Sequence, residues 1–131
     1  MSNAMDDRAL LEMAARANGM NVLSDPWPRD VGENEWFYNA HNHGGGMFNR
    51  CDGRHTQVRW NPLADDGDAL RLSVKCELNI LRGYYGVSVE HPPADNGEGG
   101  VDICEPYGKD ECAATRRAIV IAAAEIGKQM P

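Results

Sequence analysis

Three of the four histidines and one of the four cysteines of this 131-residue chain fall in a single short stretch, residues 41 to 55. The four residues are His41, His43, Cys51 and His55, within HNHGGGMFNRCDGRH. Three imidazoles and a thiolate form a tetrahedral ligand set for zinc. His41 and His43 point to the same side if the chain is extended there, and the glycines at 44 to 46 would let the chain turn back. The chemistry indicated is divalent-metal binding, with hydrolysis if one coordination position stays open.

The same stretch is also typical of a surface loop. Stretches rich in Asn, Gly and His commonly form polar loops. The pair H-x-H matches no zinc-finger or knuckle pattern, in which about two to four residues separate the ligands. We favour the polar loop and keep zinc binding by His41, His43, Cys51 and His55 as the alternative. No other cofactor is predicted.

The remaining candidate groups have simpler explanations. The carboxylates of Asp65, Asp66 and Asp68 precede an apolar helix, where acids cap the first turn, and the twelve-residue loop of a calcium site is absent from the sequence. A Cys51 nucleophile with His55 as its base would still need a third, orienting group. Arg116 and Arg117 are expected to be solvated. We therefore predict no catalytic residue.

The amino-acid composition indicates the class of protein. A hydrophobic fraction of 42% and a charged fraction of 25% are those of a folded globular chain. The first four residues, MSNA, have the character of an expression-tag remnant, and we expect one domain over residues 5 to 131. Within it, residues 25 to 58 form an irregular segment rich in aromatic residues, glycine and histidine, whose aromatic side chains should pack on the core.

Charge and hydropathy exclude two classes of partner. The formal net charge of -7 disfavours a nucleic-acid backbone, which binds through Lys and Arg. The longest apolar run, residues 118 to 124, is far shorter than the roughly 20 residues that span a bilayer, so no membrane partner is expected. No secretion signal and no C-x-x-C pair are present, which predicts reduced thiols and a cytoplasmic location. Three cysteines are interpreted as small apolar residues: Cys76, Cys104 and Cys112.

Periodicity predicts the elements that would position these residues. Apolar residues recur with helical spacing over residues 6 to 18, 61 to 78 and 110 to 128. Strands are predicted for EWFYNA and HTQVRW in the first half, and for LNIL, YGVSVEH and GVDICEPY in an antiparallel meander of the second half. Two apolar stripes on the middle helix, one with Leu70 and Val74 and one with Leu72 and Cys76, predict cover on more than one face.

The last helix is apolar nearly all round between Ile119 and Ala124, which is more than one sheet face requires. Either a neighbouring helix or a partner chain should cover the rest. A homodimer through this helix or through exposed aromatic residues is therefore a further expectation.

Two stretches carry a resemblance. WNPLADDGDALRLSVK, and ATRRAIVIAAAEIG some forty residues later, resemble a group of uncharacterised phage and prophage proteins built on the phage ABA-sandwich domain. The match covers about residues 60 to 127 and has no counterpart for residues 25 to 58. It implies an α/β/α sandwich and carries over no catalytic or binding residue.

These observations predict an α+β domain in which three helices pack on a small antiparallel sheet, as an α/β/α sandwich. The predicted function is that of a phage or prophage accessory protein, acting as a binding or interaction module without catalysis of its own. The alternative is a zinc-binding protein that uses the cluster in residues 41 to 55. This alternative includes a zinc-dependent hydrolase.

Overall fold

A computed structural model describes residues 6 to 23, 35 to 38, 47 to 51, 56 to 93, 97 and 100 to 130; for residues 21, 23, 35, 37, 49 to 51 and 56 to 58 the description covers the backbone. The three helices are α1 (Asp7–Ala17), α2 (Asp66–Lys75) and α3 (Glu111–Gln129). The strands are β1 (Asn21–Leu23), β2 (Glu35–Tyr38), β3 (Met47–Cys51), β4 (Thr56–Trp60), β5 (Asn79–Arg82), β6 (Gly86–His91) and β7 (Val101–Pro106).

An aspartate caps the N-terminus of each described helix. The carboxylates of Asp6, Asp65 and Asp110 accept hydrogen bonds from the backbone N–H three residues further on, at 2.8, 2.8 and 3.0 Å. A short polar side chain in this place satisfies an N–H group that has no partner within the helix, and its negative charge suits the helix dipole. The middle helix, predicted from residue 61 onward, is capped by Asp65 and starts at Asp66.

Helices α1 and α2 end in the same way. Gly19 follows α1 with a φ of 83°, and Met20 donates its N–H to the Ala15 carbonyl. After α2 the left-handed residue is Glu77, with a φ of 54°, and Leu78 donates its N–H to the Ser73 carbonyl. This closing pattern normally uses glycine. It ends α2 at Lys75, three residues before the predicted end at Leu78.

The first sheet has the order β1-β2-β3-β4. Strand β1 is parallel to β2, whereas β2 with β3 and β3 with β4 are antiparallel. The aromatic residues of this half pack on the core where their side chains are described: Phe48 and Trp60 are buried, and Trp36 and Tyr38 are partly buried against the core cluster. The rings of Trp36 and Trp60 meet edge to face, with centroids 6.2 Å apart.

The second sheet is the predicted meander, in the order β5-β6-β7 with every pair antiparallel. Apolar and polar residues alternate along β6 and β7, and the apolar ones lie on the buried face, as expected. Val87, Val89 and Val101 are buried, whereas Asp102 and Cys104 are exposed on the opposite face. Strand β5 is the edge strand, and all four of its residues are exposed.

Helix α3 connects the parts of the molecule. It packs against α1, α2, β6 and β7. The contact with α1 is close because small residues line it: a Cβ atom at Gly127 would collide with the carbonyl oxygen of Met13. Met47 and Trp60 of the first sheet join Val87 and Val89 of the second in the same buried cluster, so both sheets share one core.

The predicted α+β class with three helices is confirmed. The strands form two small sheets, where one sheet was expected. The described residues place helices against one face of the second sheet, and the α/β/α sandwich stays a prediction. A neighbouring helix, α1, covers the additional apolar face of α3.

Candidate binding groove

A groove opens between the second sheet and the helices. Its walls come from α2, the first half of α3 and the edge strand β5, and its volume is about 310 Å³. The residues that line it are Asp66, Ala69, Leu70, Ile80, Arg82, Glu111, Cys112, Thr115, Arg116 and Ile119. This volume is at the lower end of the range found for binding clefts, roughly 300 to 1,000 Å³. The groove is therefore large enough to take a few side chains of a ligand.

The groove is apolar where its two walls face each other. Leu70 on α2 is 60% exposed and Ile80 on β5 is 41% exposed, although both side chains are aliphatic. Val74, one turn beyond Leu70 on α2, is also exposed. The prediction that both stripes of this helix are covered is wrong for the Leu70 and Val74 stripe. A contiguous exposed apolar surface of this kind commonly marks an interaction site.

The charged residues around the groove are held in ion pairs. Arg116 donates to Asp66 at 2.6 Å, and Arg82 pairs with Glu111. The hydrogen bond to Glu111 raises the pKa of the Arg82 guanidinium above its ordinary value. Arg82 also lies over the ring of Tyr107, 4.9 Å from the ring centroid. The charges at the rim thus neutralise one another in pairs, which leaves the apolar walls as the dominant feature.

Arg116 has a structural role in addition to its place at the rim. Its Nε donates to the carbonyl oxygen of Leu63 at 2.9 Å, in the turn that precedes α2. Its side chain is 17% exposed. The prediction that Arg116 is solvated is therefore wrong: this guanidinium fixes the beginning of α2 against α3. Arg117 is more exposed and pairs with Asp7 at 3.3 Å.

The turn before α2 explains the most distinctive motif of the chain, WNPLADDGD. The carboxylate of Asp68 accepts hydrogen bonds from the backbone N–H of Asn61 at 2.9 Å and from Arg71 at 2.8 Å. The side-chain oxygen of Asn61 accepts from the Leu63 N–H. These contacts satisfy buried polar groups inside the protein. This motif therefore shapes the turn and the start of α2.

The predicted zinc ligands lie largely outside the described residues. This holds for His41, His43 and His55, and only the backbone of Cys51 is described. Among the described residues, no group of three histidine, cysteine or acidic side chains is placed to hold a metal ion. Part of the stretch is strand and not loop, since β3 runs from Met47 to Cys51. Its last residue is paired with Thr56, the residue that follows His55.

The three remaining cysteines differ in their surroundings. Cys76 is buried in the core, as predicted, and burial raises the pKa of its thiol to about 11. Cys104 and Cys112, which were also interpreted as small apolar residues, are exposed to solvent. Cys112 lies in the wall of the groove, whereas Cys104 is on the outer face of the second sheet beside Ser88. The reactivity of Cys104 and Cys112 therefore reports on two different surfaces of the protein.

In the described part of the chain, no helix is long and apolar enough to cross a membrane. No family model matches the sequence, and comparisons with curated proteins and with solved structures find no match.

Proposed function

We propose that this protein is a binding module without catalysis of its own, and that the groove takes an apolar segment of a partner protein. The observation that carries the proposal is the pair of exposed aliphatic walls, Leu70 on α2 and Ile80 on β5, which face one open groove. Burial of apolar surface is the main favourable term in most protein association. A segment that covers these side chains would remove them from water.

The biological setting is part of the same proposal. The resemblance of residues 60 to 127 to phage and prophage proteins supports an accessory role in a phage or prophage, exercised in the cytoplasm of a bacterial host. The net charge of -7 supports a protein partner rather than a nucleic acid.

The experiment is a selection of random peptides on the immobilised protein, followed by affinity measurements on the wild type and three variants. Ile80→Glu places a charge in the groove wall. Leu81→Glu is the matched control, because Leu81 is the next residue of the same strand and is similarly exposed, 51% against 41%. Leu70→Glu tests the opposite wall. Circular dichroism and thermal unfolding establish that each variant is folded.

We expect selected peptides that are rich in apolar residues, bind the wild type and Leu81→Glu alike, and lose about tenfold or more in affinity on Ile80→Glu and Leu70→Glu. Bound peptide should shield Cys112 from a thiol reagent and leave Cys104 reactive. Failure to select any peptide, or peptides that bind all variants equally, would contradict the proposed function.

Zinc binding by His41, His43, Cys51 and His55 remains the second candidate. One observation favours it: the pairing of Cys51 with Thr56 brings the chain at Cys51 beside the residue that follows His55. Elemental analysis of protein purified without added metal or chelator tests it. Close to one zinc per chain in the wild type, lost in a His43→Ala, Cys51→Ala variant, would support the site. Traces of metal alone in both would remove it.

A further inference from the structure

We propose that the partner segment binds as an extended strand that adds to the outer edge of β5 and so lengthens the second sheet to four strands. This inference rests on the proposed function, because it specifies how a segment would occupy the groove. Addition of a strand to an exposed sheet edge is an established mode of peptide recognition, in which main-chain hydrogen bonds supply affinity and alternate side chains supply specificity.

In the part of the chain that the structure describes, no strand pairs with the outer edge of β5. Among the described residues, β6 is the one strand that pairs with β5. Gly83 donates its backbone N–H to the carbonyl of Gly86, at 2.8 Å, so the N–H of Gly83 points toward β6, and its C=O accepts from the Tyr107 hydroxyl. In an antiparallel ladder, successive residues direct these groups alternately toward one neighbour and the other. Those of Leu81 therefore also point to β6, and the N–H and C=O of Ile80 and Arg82 point to the open edge.

The side chains add the second half of the recognition. Ile80 is paired with Val89, which is buried beneath the helices, so both side chains lie on the helix side of the sheet. Leu81 is paired with Ser88 and lies on the outer side. An added strand would run roughly 4.8 Å from β5. Its residues opposite Ile80 and Arg82 would direct their side chains into the groove, and the residue between them would face outward beside Leu81.

Charge specifies the segment. The rim carries two cations and two anions that already pair with each other, Arg82 with Glu111 and Arg116 with Asp66, so a charge on an inserted side chain would find no free partner among these four. The chain as a whole carries a net charge of -7. We therefore assign the site to an extended segment of another protein, with uncharged residues in the groove and neutral or basic residues beside it. A second copy of this acidic chain would meet electrostatic repulsion.

The test uses the tightest peptide from the selection on the wild-type protein. A series is synthesised in which one backbone nitrogen at a time carries a methyl group, which removes a donor and leaves the side chain in place. Strand addition predicts alternation along the peptide: methylation at every second residue lowers the affinity about tenfold or more, and methylation at the residues between has little effect.

Amide hydrogen exchange gives the matching readout on the protein. The amides of Ile80 and Arg82 should exchange rapidly in the free protein and about tenfold or more slowly with the peptide bound. The Leu81 amide, already bonded to β6, should change little. Light scattering on the same samples records whether two chains are joined.

The outcomes separate the two proposals. A peptide that requires Ile80 and Leu70 but shows no alternation on methylation, and no protection of the Ile80 amide, would overturn strand addition and leave the binding groove intact. Absence of any Ile80-dependent peptide would overturn both. A third outcome concerns the partner. If a higher protein concentration alone protects the Ile80 amide, and the mass doubles in the wild type but not in Ile80→Glu, a second copy of the chain occupies the edge. That result would overturn the assigned partner.

Discussion

Single residues of this chain show how burial decides what a side chain can do. Cys76 and Cys112 have the same chemistry, yet one lies in the core and the other in the groove wall. Only the thiolate is a nucleophile. Loss of water around Cys76 disfavours the thiolate and raises the pKa of its thiol to about 11.

We therefore expect that a thiol reagent at pH 8 modifies Cys104 and Cys112 in the folded protein and spares Cys76. Mass spectrometry of digested protein measures each site, and in denaturant Cys76 should react as readily as the other two. Rapid modification of Cys76 under native conditions would contradict its burial.

The same thiol makes a contribution to stability that depends on pH. Its pKa is about 11 in the folded protein and 9.0 as the ordinary value. The contribution is thus complete below pH 9.0 and is lost as the pH rises toward about 11, since the unfolded chain releases its proton first.

At the scale of elements, the pattern of small residues on α3 sets how closely α1 can approach. Glycine inside a helix ordinarily lowers stability, and replacement by alanine would gain up to about 1 kcal/mol. At Gly127 the sign is reversed, because the added methyl group would collide with the backbone carbonyl of Met13, which cannot move without shifting α1.

We expect Gly127→Ala to lower the free energy of unfolding by about 1 to 3 kcal/mol, measured by urea denaturation. Gly67→Ala in α2 is the matched control. A Cβ there meets the tip of the flexible Arg71 side chain and the carboxylate of Asp65, which caps α2, both at 3.2 Å. These side-chain atoms need to shift by only a few tenths of an ångström, so the effect should be smaller than that of Gly127→Ala. Equal effects of the two substitutions would show that the contact between α1 and α3 is looser than described.

The elements differ in how far the sequence could predict them, for physical reasons. Long amphipathic runs and the alternation of Val87 and Val89 led to three helices and the meander. Strand β3 was missed because two successive residues, Met47 and Phe48, are both buried and hide the alternation. The end of α2 was missed because Glu77 favours helices and yet adopts the left-handed conformation here.

The sequence contains one signal for the groove, the apolar stripe of Leu70 and Val74. The stripe predicts cover by the rest of the chain, whereas both side chains are exposed. Apolar periodicity shows that a face avoids water, but it does not distinguish a face buried by folding from one left for a partner. The zinc ligand set was predicted from residue types alone, and its geometry lies largely outside the described residues.

At the scale of the whole molecule, self-association is the remaining question. The argument for a dimer through α3 loses its basis, since α1, α2 and the second sheet cover that helix. Exposed aromatic residues remain at the turn between β5 and β6, where Tyr84 and Tyr85 are 87% and 83% exposed. Their rings contact each other edge to face, with centroids 4.7 Å apart. Tyrosine is frequent at the centre of protein interfaces.

We expect a weak homodimer to form through this turn, because burial of the tyrosine rings favours association and the net charge of -7 on each chain opposes it. Light scattering should give a mass that rises with concentration toward two chains, and a Tyr84→Ser, Tyr85→Ser variant should keep the mass of one chain. Ile80→Glu serves as the control and should behave as the wild type does. A mass of one chain at every concentration would remove the dimer from consideration.

The central position of α3 has a consequence for how the protein opens. Helices α1 and α2 and strands β6 and β7 all pack against it. Its middle turns cannot lose their hydrogen bonds while α1 and the meander remain packed, so no partial opening exposes them. The slowest-exchanging amides of the described residues should therefore lie near Ala118 to Ala124, and their exchange rates should report the free energy of global unfolding.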